Sequence, residues 1–366
     1  MSQPDEEYIS FDDESHINTI HFTRNTEGLD IMNIFNHAIT NINAEGIDKI
    51  KPLLEKSAFK PYRYLFRDLG IGLVDFWVLT IKELMRSSTL QGFLASQNGI
   101  PIGLLIISEN PWESDLLGEK AAVINALIID AAFEEKLQVA LSLLEHAIQQ
   151  ATADGVKFLL SKTYTDDITS IHALELHGFL LMDTIVDSIF DYRRVSLEKI
   201  VPPTIAEDVI LRLATPADRD QLVDVARQSF GAHFGRFHAD ERIGIELATQ
   251  FYEQWMHSSI DGYADWIHLA EINKHIVGFS IWKKPSPLES MLKVRVGHYS
   301  IAGIHPDYHG RGLFTALTYA GMKSLNGIAD IIEGPTHVNN YGVQKGYSKM
   351  GWRVVSDARH AFHKWL

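Results

Sequence analysis

The sequence predicts an α/β protein of the α+β kind, built from two tandem copies of one fold behind an N-terminal helical extension. Each copy is expected to be a mixed, mostly antiparallel sheet flanked by helices. Three observations carry this. The order turn, glycine-bearing strand, long helix, strand, short helix and glycine-aromatic end occurs twice, and such recurrence is the sequence signature of a duplicated architecture. The spacings agree, with 80 residues from Asn98 to Gly178 and 78 from Asn273 to Gly351. Between the copies stands Val201-Pro202-Pro203, where two prolines suit neither a helix interior nor a central strand.

Composition sets the outer limits. A chain of 366 residues exceeds what one core usually organises, and 46% apolar residues spread along it can fill two. No uncharged apolar run reaches about 18 residues, and the start Met1-Ser2-Gln3-Pro4-Asp5-Glu6-Glu7 is acidic where a secretory leader is basic. The expectation is a cytoplasmic protein without a membrane partner. A formal charge of −14 argues against a nucleic-acid partner, since phosphate backbones require clustered Lys and Arg. The absence of cysteine excludes disulfides, thiolate metal sites and a Cys nucleophile. Seventeen histidines lack paired ligand spacing, so no metal is expected.

Residues 1–56 form the expected extension, with acidic clusters followed by a helix over 26–54 suggested by Ile31, Ile34, Phe35, Ala38 and Ile39. The first copy spans 57–200. From Phe59 the chain reads as aromatic and strand-like, and 91–108 as a hairpin turned at Asn98-Gly99. A strand over 123–129 leads into a helix over 134–153, whose Leu137, Leu141, Leu144 and Ile148 share one face. A strand over 157–161 and a short helix ending at Gly178-Phe179 close the copy. After a linker over 201–209, the second copy spans 210–366 with its hairpin turn at Asn273-Lys274.

The chemistry is concentrated in this second copy. Residues 299–314 read as a strand, a turn at Pro306-Asp307, and the loop His309-Gly310-Arg311-Gly312 opening a helix with Leu313, Phe314 and Thr315 in its first turn. Two glycines let successive N–H groups point one way, and the helix N-terminus adds partial positive charge, which together make a pyrophosphate cradle. The first copy has Asp130-Ala131-Ala132-Phe133-Glu134-Glu135-Lys136 there, without glycine and with carboxylates that repel a pyrophosphate.

With these residues in view, the second copy resembles the GNAT superfamily of CoA-dependent acyltransferases. Leu211-Arg212-Leu213-Ala214-Thr215-Pro216-Ala217-Asp218 is similar to the family's opening strand and helix start. His309 to Phe314 matches the Gln/Arg-x-x-Gly-x-Gly/Ala loop at Gly312, while His309 and Phe314 depart from it. Asn340, Tyr347 and Gly351-Trp352 match the last motif. The resemblance implies acetyl-CoA as co-substrate, held by Ala302, Gly303, Ile304, His309, Gly310, Arg311, Gly312, Leu313, Phe314, Thr315 and Asn340. It implies Tyr347 as general acid toward the departing thiolate, a task suited to a phenol whose ordinary pKa of about 10 lies above a thiol's. Backbone N–H groups of Ala302 to Ile304 would polarise the thioester carbonyl. The first copy, with Asp167 and Leu174 at the positions of Asn340 and Tyr347, is then a degenerate, non-catalytic half.

The acceptor is expected to be a small-molecule amine. Gly235-Arg236-Phe237-His238-Ala239-Asp240, Tyr252 and Trp255, with Pro111-Trp112-Glu113-Ser114 and Leu117-Gly118, are similar to enzymes that acetylate dTDP-amino sugars such as dTDP-fucosamine. That likeness implies Arg236, His238 and Tyr252 on the acceptor side; Tyr252 and Trp255 read equally well as helix core. His298, Tyr299, Glu271 and Glu333 are alternative general bases, beside bound water. Acylation of a protein amine and a non-catalytic CoA-binding protein stand as the other functional readings, and the chain leaves room for a homodimer.

Overall fold

The computed structural model describes residues 37–366 apart from 70–71, 88–90, 232–233 and 288–291. Residues 26–36 of the expected helix lie outside the described residues, and from residue 38 the chain is not that helix. Strand β1 (Ala38–Ile42) pairs antiparallel with β2 (Gln91–Gln97), with Ile42 opposite Gly92. The β-branched Thr40 and Ile42 suit a strand, and the Asn43 side chain accepts from the Gly46 N–H, closing a local turn that competes with a helix. The 3-10 helix Ala44–Ile50 and helix α1 (Lys51–Lys56) then bury Ile47, Ile50, Leu53 and Leu54. These residues therefore belong to the first half's core and not to an appendage.

The strand-like reading after Phe59 also gives way. Helices α2 (Phe66–Leu69) and α3 (Gly72–Ser87) occupy that stretch, because Leu73, Phe76, Trp77 and Ile81 recur at helical spacing and bury one face. The hairpin stands where expected: β2 turns through Asn98 (φ 53°) and Gly99 (φ 78°) into β3 (Ile100–Glu109). Helix α4 (Pro111–Leu117), β4 (Ala121–Ile129), α5 (Lys136–Ala153), β5 (Phe158–Tyr164), α6 (Ile168–Leu176) and β6 (Leu180–Asp191) complete the first half. The second runs β7 (Val209–Leu213), α7 (Arg219–Phe230), α8 (Arg236–Ala239), α9 (Ile245–Ser258), β8 (Trp266–Ile272) and β9 (His275–Lys283). It continues with β10 (Val296–Ile304), α10 (Leu313–Leu325), β11 (Ile331–His337), α11 (Tyr341–Lys349), β12 (Arg353–Val354) and β13 (Arg359–Trp365).

The repeat holds down to local detail. In each half the fourth main strand pairs in parallel with the fifth only at its start, β4 with β5 through Ile124 and Ser161, β10 with β11 through His298 and Glu333. Just beyond, each carries a bulge against its other neighbour, at Asn125 in β4 and Ser300 in β10. Asp167 and Asn340 both cap the following helix, accepting from the N–H groups of Ser170 and Val343.

The two halves exchange their closing strands. The sheet order is β1-β2-β3-β4-β5-β13-β6-β11-β10-β9-β8-β7, so β13 lies against β5 of the first half while β6 lies against β11 of the second. Lys162 of β5 and Asp183 of β6 flank Ala361 of β13 on either side. The result among the described residues is one mixed, mostly antiparallel sheet of 13 strands. Helices α5, α6, α10 and α11 cover one face, and α3, α4, α7 and α9 the other.

Candidate functional site

Where β10 and β11 part, the sheet opens. Beyond Glu333, β11 continues along β6 to His337, while β10 follows β9 to Ile304. A cavity of about 630 Å³ passes through this gap, reaching Tyr347, Phe314 and Asn340 on one face of the sheet and Arg236, Tyr252 and Glu113 on the other. The His305 N–H donates to the Val277 carbonyl of β9, so by strand alternation the N–H groups of Ala302 and Ile304 point away from β9 into the gap. Ser300, the bulged residue, lines the same wall with a buried Oγ that has no partner among the described residues.

Tyr347 stands on α11 with its ring stacked on Trp352 at 4.5 Å and 11°. Its hydroxyl lies over Gly334 of β11, where a Cβ would come within 2.6 Å of the oxygen. Burial, reinforced by the neighbouring Tyr299 and Asp187, raises its pKa well above that of a free phenol, so it holds its proton throughout the neutral range. Asn340 spends its side-chain oxygen on capping α11, with the Val343 N–H donating at 3.3 Å.

The glycine loop adopts the expected form. Gly310 (φ 78°) and Gly312 (φ 77°) are left-handed, a Cβ at Gly310 would meet nothing within 4 Å, and Gly312 caps α10 without a side chain. The first-turn N–H groups of α10 therefore face outward uncapped. His309 does not point there: its Nε2 donates to the Ile304 carbonyl at 2.9 Å and braces the loop against β10. Arg311 is ion-paired with Asp208 at 3.0 Å, and Thr315 donates to the Gly312 carbonyl. Leu313 is core, packed with Leu317 and Val277. Phe314, where the resembled motif has a small residue, turns toward α11, and Gly346 makes the room; a Cβ there would stand 2.8 Å from the ring. In the first half α5 begins at Lys136 behind Glu135, and no residue of 130–136 has positive φ.

On the other face, two motifs far apart in sequence meet. Arg236 of α8 is ion-paired with Glu113 of α4, its Nη1 lies 3.2 Å from His363 Nε2, and its backbone N–H donates to Asp183 at 2.9 Å. Trp112 packs on Phe251 at 5.3 Å. His363 and the Trp365 indole both reach Asp240, at 2.8 and 3.1 Å, tying β13 back to the second half. Tyr252 lines the cavity stacked on Phe230 at 4.2 Å, with its phenol pushed up by burial. His238 lies behind the wall, 5.7 Å from the Tyr252 ring, and does not line the cavity.

Of the alternative bases, Glu271 is bound to Arg212 at 2.8 Å on β8. Tyr299 lines the cavity, bonded to Thr318 and stacked on Trp282 at 3.9 Å. Glu333 neighbours Gly334 and so faces the sheet's other side from Tyr347, receiving the Tyr64 hydroxyl at 2.5 Å and lying 3.5 Å from His298. Burial lifts its pKa to about 7. Sequence reasoning missed Ser300, Lys162 and Asp183, because bulges and cross-strand neighbours carry no local motif. Among the described residues no cluster of three His, Asp or Glu could hold a metal ion, and no helix is long and apolar enough to cross a membrane.

No protein-family profile matches the chain, and no curated protein matches it. Solved structures do. A tandem GNAT protein from the clavulanic acid biosynthesis pathway is 12% identical, with 90% of this chain and 98% of that one covered and a TM-score of 0.55. A GCN5-related N-acetyltransferase from Sphaerobacter thermophilus is 13% identical over 90% and 96% of the two chains, with a TM-score of 0.57. A GCN5-related glucosamine N-acetyltransferase region of a fungal multi-domain β-N-acetylglucosaminidase is 12% identical over 90% of this chain and 38% of that one, at 0.58. The fold is that of the tandem GNAT proteins.

Proposed function

We propose that the protein is an acyl-CoA-dependent N-acyltransferase, using acetyl-CoA to acylate a primary amine of a small molecule. The observation that carries this reading is the through-sheet cavity, which joins the Tyr347 hydroxyl and the inward N–H groups of β10 to a second chamber walled by both halves. An acyl thioester supplies the activated carbonyl. Its pyrophosphate would lie on the uncapped start of α10 beside Gly310 and Gly312, where a helix terminus and left-handed glycines present N–H groups. The N–H groups of Ala302 and Ile304 polarise the carbonyl. As the amine nitrogen bonds to the carbonyl carbon and the C–S bond breaks, Tyr347 gives its proton to the departing sulfur; the amine's surplus proton passes to solvent, and solvent returns a proton to Tyr347 to complete the cycle.

The second chamber, walled by both halves and continuous with the gap in the sheet, suits a small acceptor better than a protein tail. Its wall joins the motifs that resemble amino-sugar acetyltransferases, which makes nucleotide-linked amino sugars the first acceptors to try. Calorimetry with acetyl-CoA, followed by an amine panel, tests the reading. Micromolar binding and turnover of a small amine support it, whereas absence of binding makes a non-catalytic protein the better description.

A further inference from the structure

The chamber's far end is furnished by the first half. Lys162 of β5 projects into the cavity, and among the described residues it has no hydrogen-bond or ion-pair partner. Across Ala361 stands Asp183, 7% exposed, whose Oδ2 accepts from the Arg236 N–H while Oδ1 has no partner. Glu113, 2% exposed, likewise gives Oε1 to Arg236 and leaves Oε2 unpaired.

Buried carboxylate oxygens without donors are unfavourable and are relieved by a ligand that donates to them, while the Lys162 ammonium, open to the solvent of the cavity, is free to take an acceptor. The neighbouring cations cannot satisfy Lys162, and their own charges are committed: Arg236 to Glu113, Arg359 to Asp187 at 2.7 Å. Lys162 is thus the cation of this group left without a direct partner, free to meet an anionic group of a ligand. The arginine that the sequence suggests as a phosphate fork is already engaged, so the role passes to Lys162.

We propose that the first half supplies an acceptor subsite, in which Lys162 binds an anionic group of the substrate while the open oxygens of Glu113 and Asp183 accept from its hydroxyl or ammonium groups. The acceptor class is a polyhydroxylated amine carrying a phosphate or carboxylate away from the reacting nitrogen. This rests on the acyltransferase reading, with the half that lacks a cofactor loop acting as the specificity element.

Calorimetry on the full chain separates the two ideas, with acetyl-CoA as one ligand and glucosamine, glucosamine 6-phosphate and glucosaminuronic acid as the others. The inference expects a charged sugar to bind at least tenfold more tightly than glucosamine, with the phosphate and carboxylate arms telling which anion is preferred. Lys162→Met removes that preference and Lys162→Arg retains it. Equal affinity for all three sugars, no detectable binding of any, or a preference that survives Lys162→Met overturns the subsite even when acetyl-CoA binds. Loss of acetyl-CoA binding with the charged-sugar preference intact instead overturns the acyltransferase reading. Glu113→Gln, which keeps shape and a hydrogen bond to Arg236, should weaken the sugars and leave the charged-over-neutral ratio in place; abolition of the ratio would move the anion contact away from Lys162.

Discussion

The hydroxyl of Tyr347 rests against the Cα of Gly334, and the fit admits no side chain: a Cβ on Gly334 would stand 2.6 Å from the phenol oxygen and 2.8 Å from the Trp352 ring. The proposed acid is therefore held from beneath by the strand that opens the gap. Gly334→Ala should push Tyr347 aside, lowering stability by about 1–3 kcal/mol and kcat by as much as about 100-fold. Tyr347→Phe should lower kcat by about 100-fold or more, with the Kd for acetyl-CoA within twofold of the parent. Steady-state kinetics beside calorimetry checks both, and unchanged turnover in the phenylalanine variant would move the proton to water.

The glycine loop gives a second test. Gly312→Glu places a carboxylate at the uncapped end of α10 and should abolish acetyl-CoA binding. Since φ is 77° at Gly312, any side chain there is strained by about 1–2 kcal/mol. Gly312→Ala carries the strain without the charge, and should keep measurable affinity.

Arg236 and Glu113 join the two halves through a buried ion pair. Arg236→Met leaves Glu113 without its partner and should cost about 3–5 kcal/mol in urea unfolding. Adding Glu113→Leu should recover most of that loss; additive losses would show that the Arg236 side chain acts through His363 instead.

Glu333 sets a pH dependence. Burial lifts its pKa from 4.5 to about 7, so between those values the folded chain holds a proton that the unfolded chain has released. Its contribution thus favours folding below pH 4.5 and is lost as pH rises to 7, a change of about 3 kcal/mol at 1.36 kcal/mol per unit. Asp357, raised by burial to about 6, acts in the same sense, and His268, lowered by burial to about 4, in the opposite one. The difference in stability between parent and Glu333→Gln isolates the one group. It should shift in the variant's favour between pH 5 and 7.5, and a difference independent of pH would refute the assignment.

Much of this was legible beforehand. The twin hairpin turns and the glycine loop are local signals, written in residues a few positions apart. The strand β1 and helix α3 were not, because short apolar runs near Ala38 and Leu73 satisfy helical and extended periods alike until a neighbour selects one. The role of His309 was misleading for another reason. Its position in the loop suggests a ligand contact, whereas its ring is turned to the Ile304 carbonyl, a direction no spacing encodes. Lys162 and Asp183 are 21 residues apart in sequence and become neighbours only because β13 enters between their strands.

That insertion has a consequence in time. During synthesis β6 is complete at Asp191, yet the strand that belongs between it and β5 begins at Arg359, 168 residues later. At about 5–20 residues per second, a nascent chain waits roughly 8–34 s with two apolar strand edges open. Phe158 and Leu160 on one side and Ile185 on the other have no seam to close during that interval. Association with a second unfinished chain on the same polysome is the hazard such a pause invites, and the closing strand's own sequence, Arg359-His360-Ala361-Phe362-His363-Lys364-Trp365, carries charge at both ends that discourages self-pairing before it finds its slot. Slowed synthesis should therefore lower the yield of native protein, through aggregates enriched in chains that stop short of residue 359.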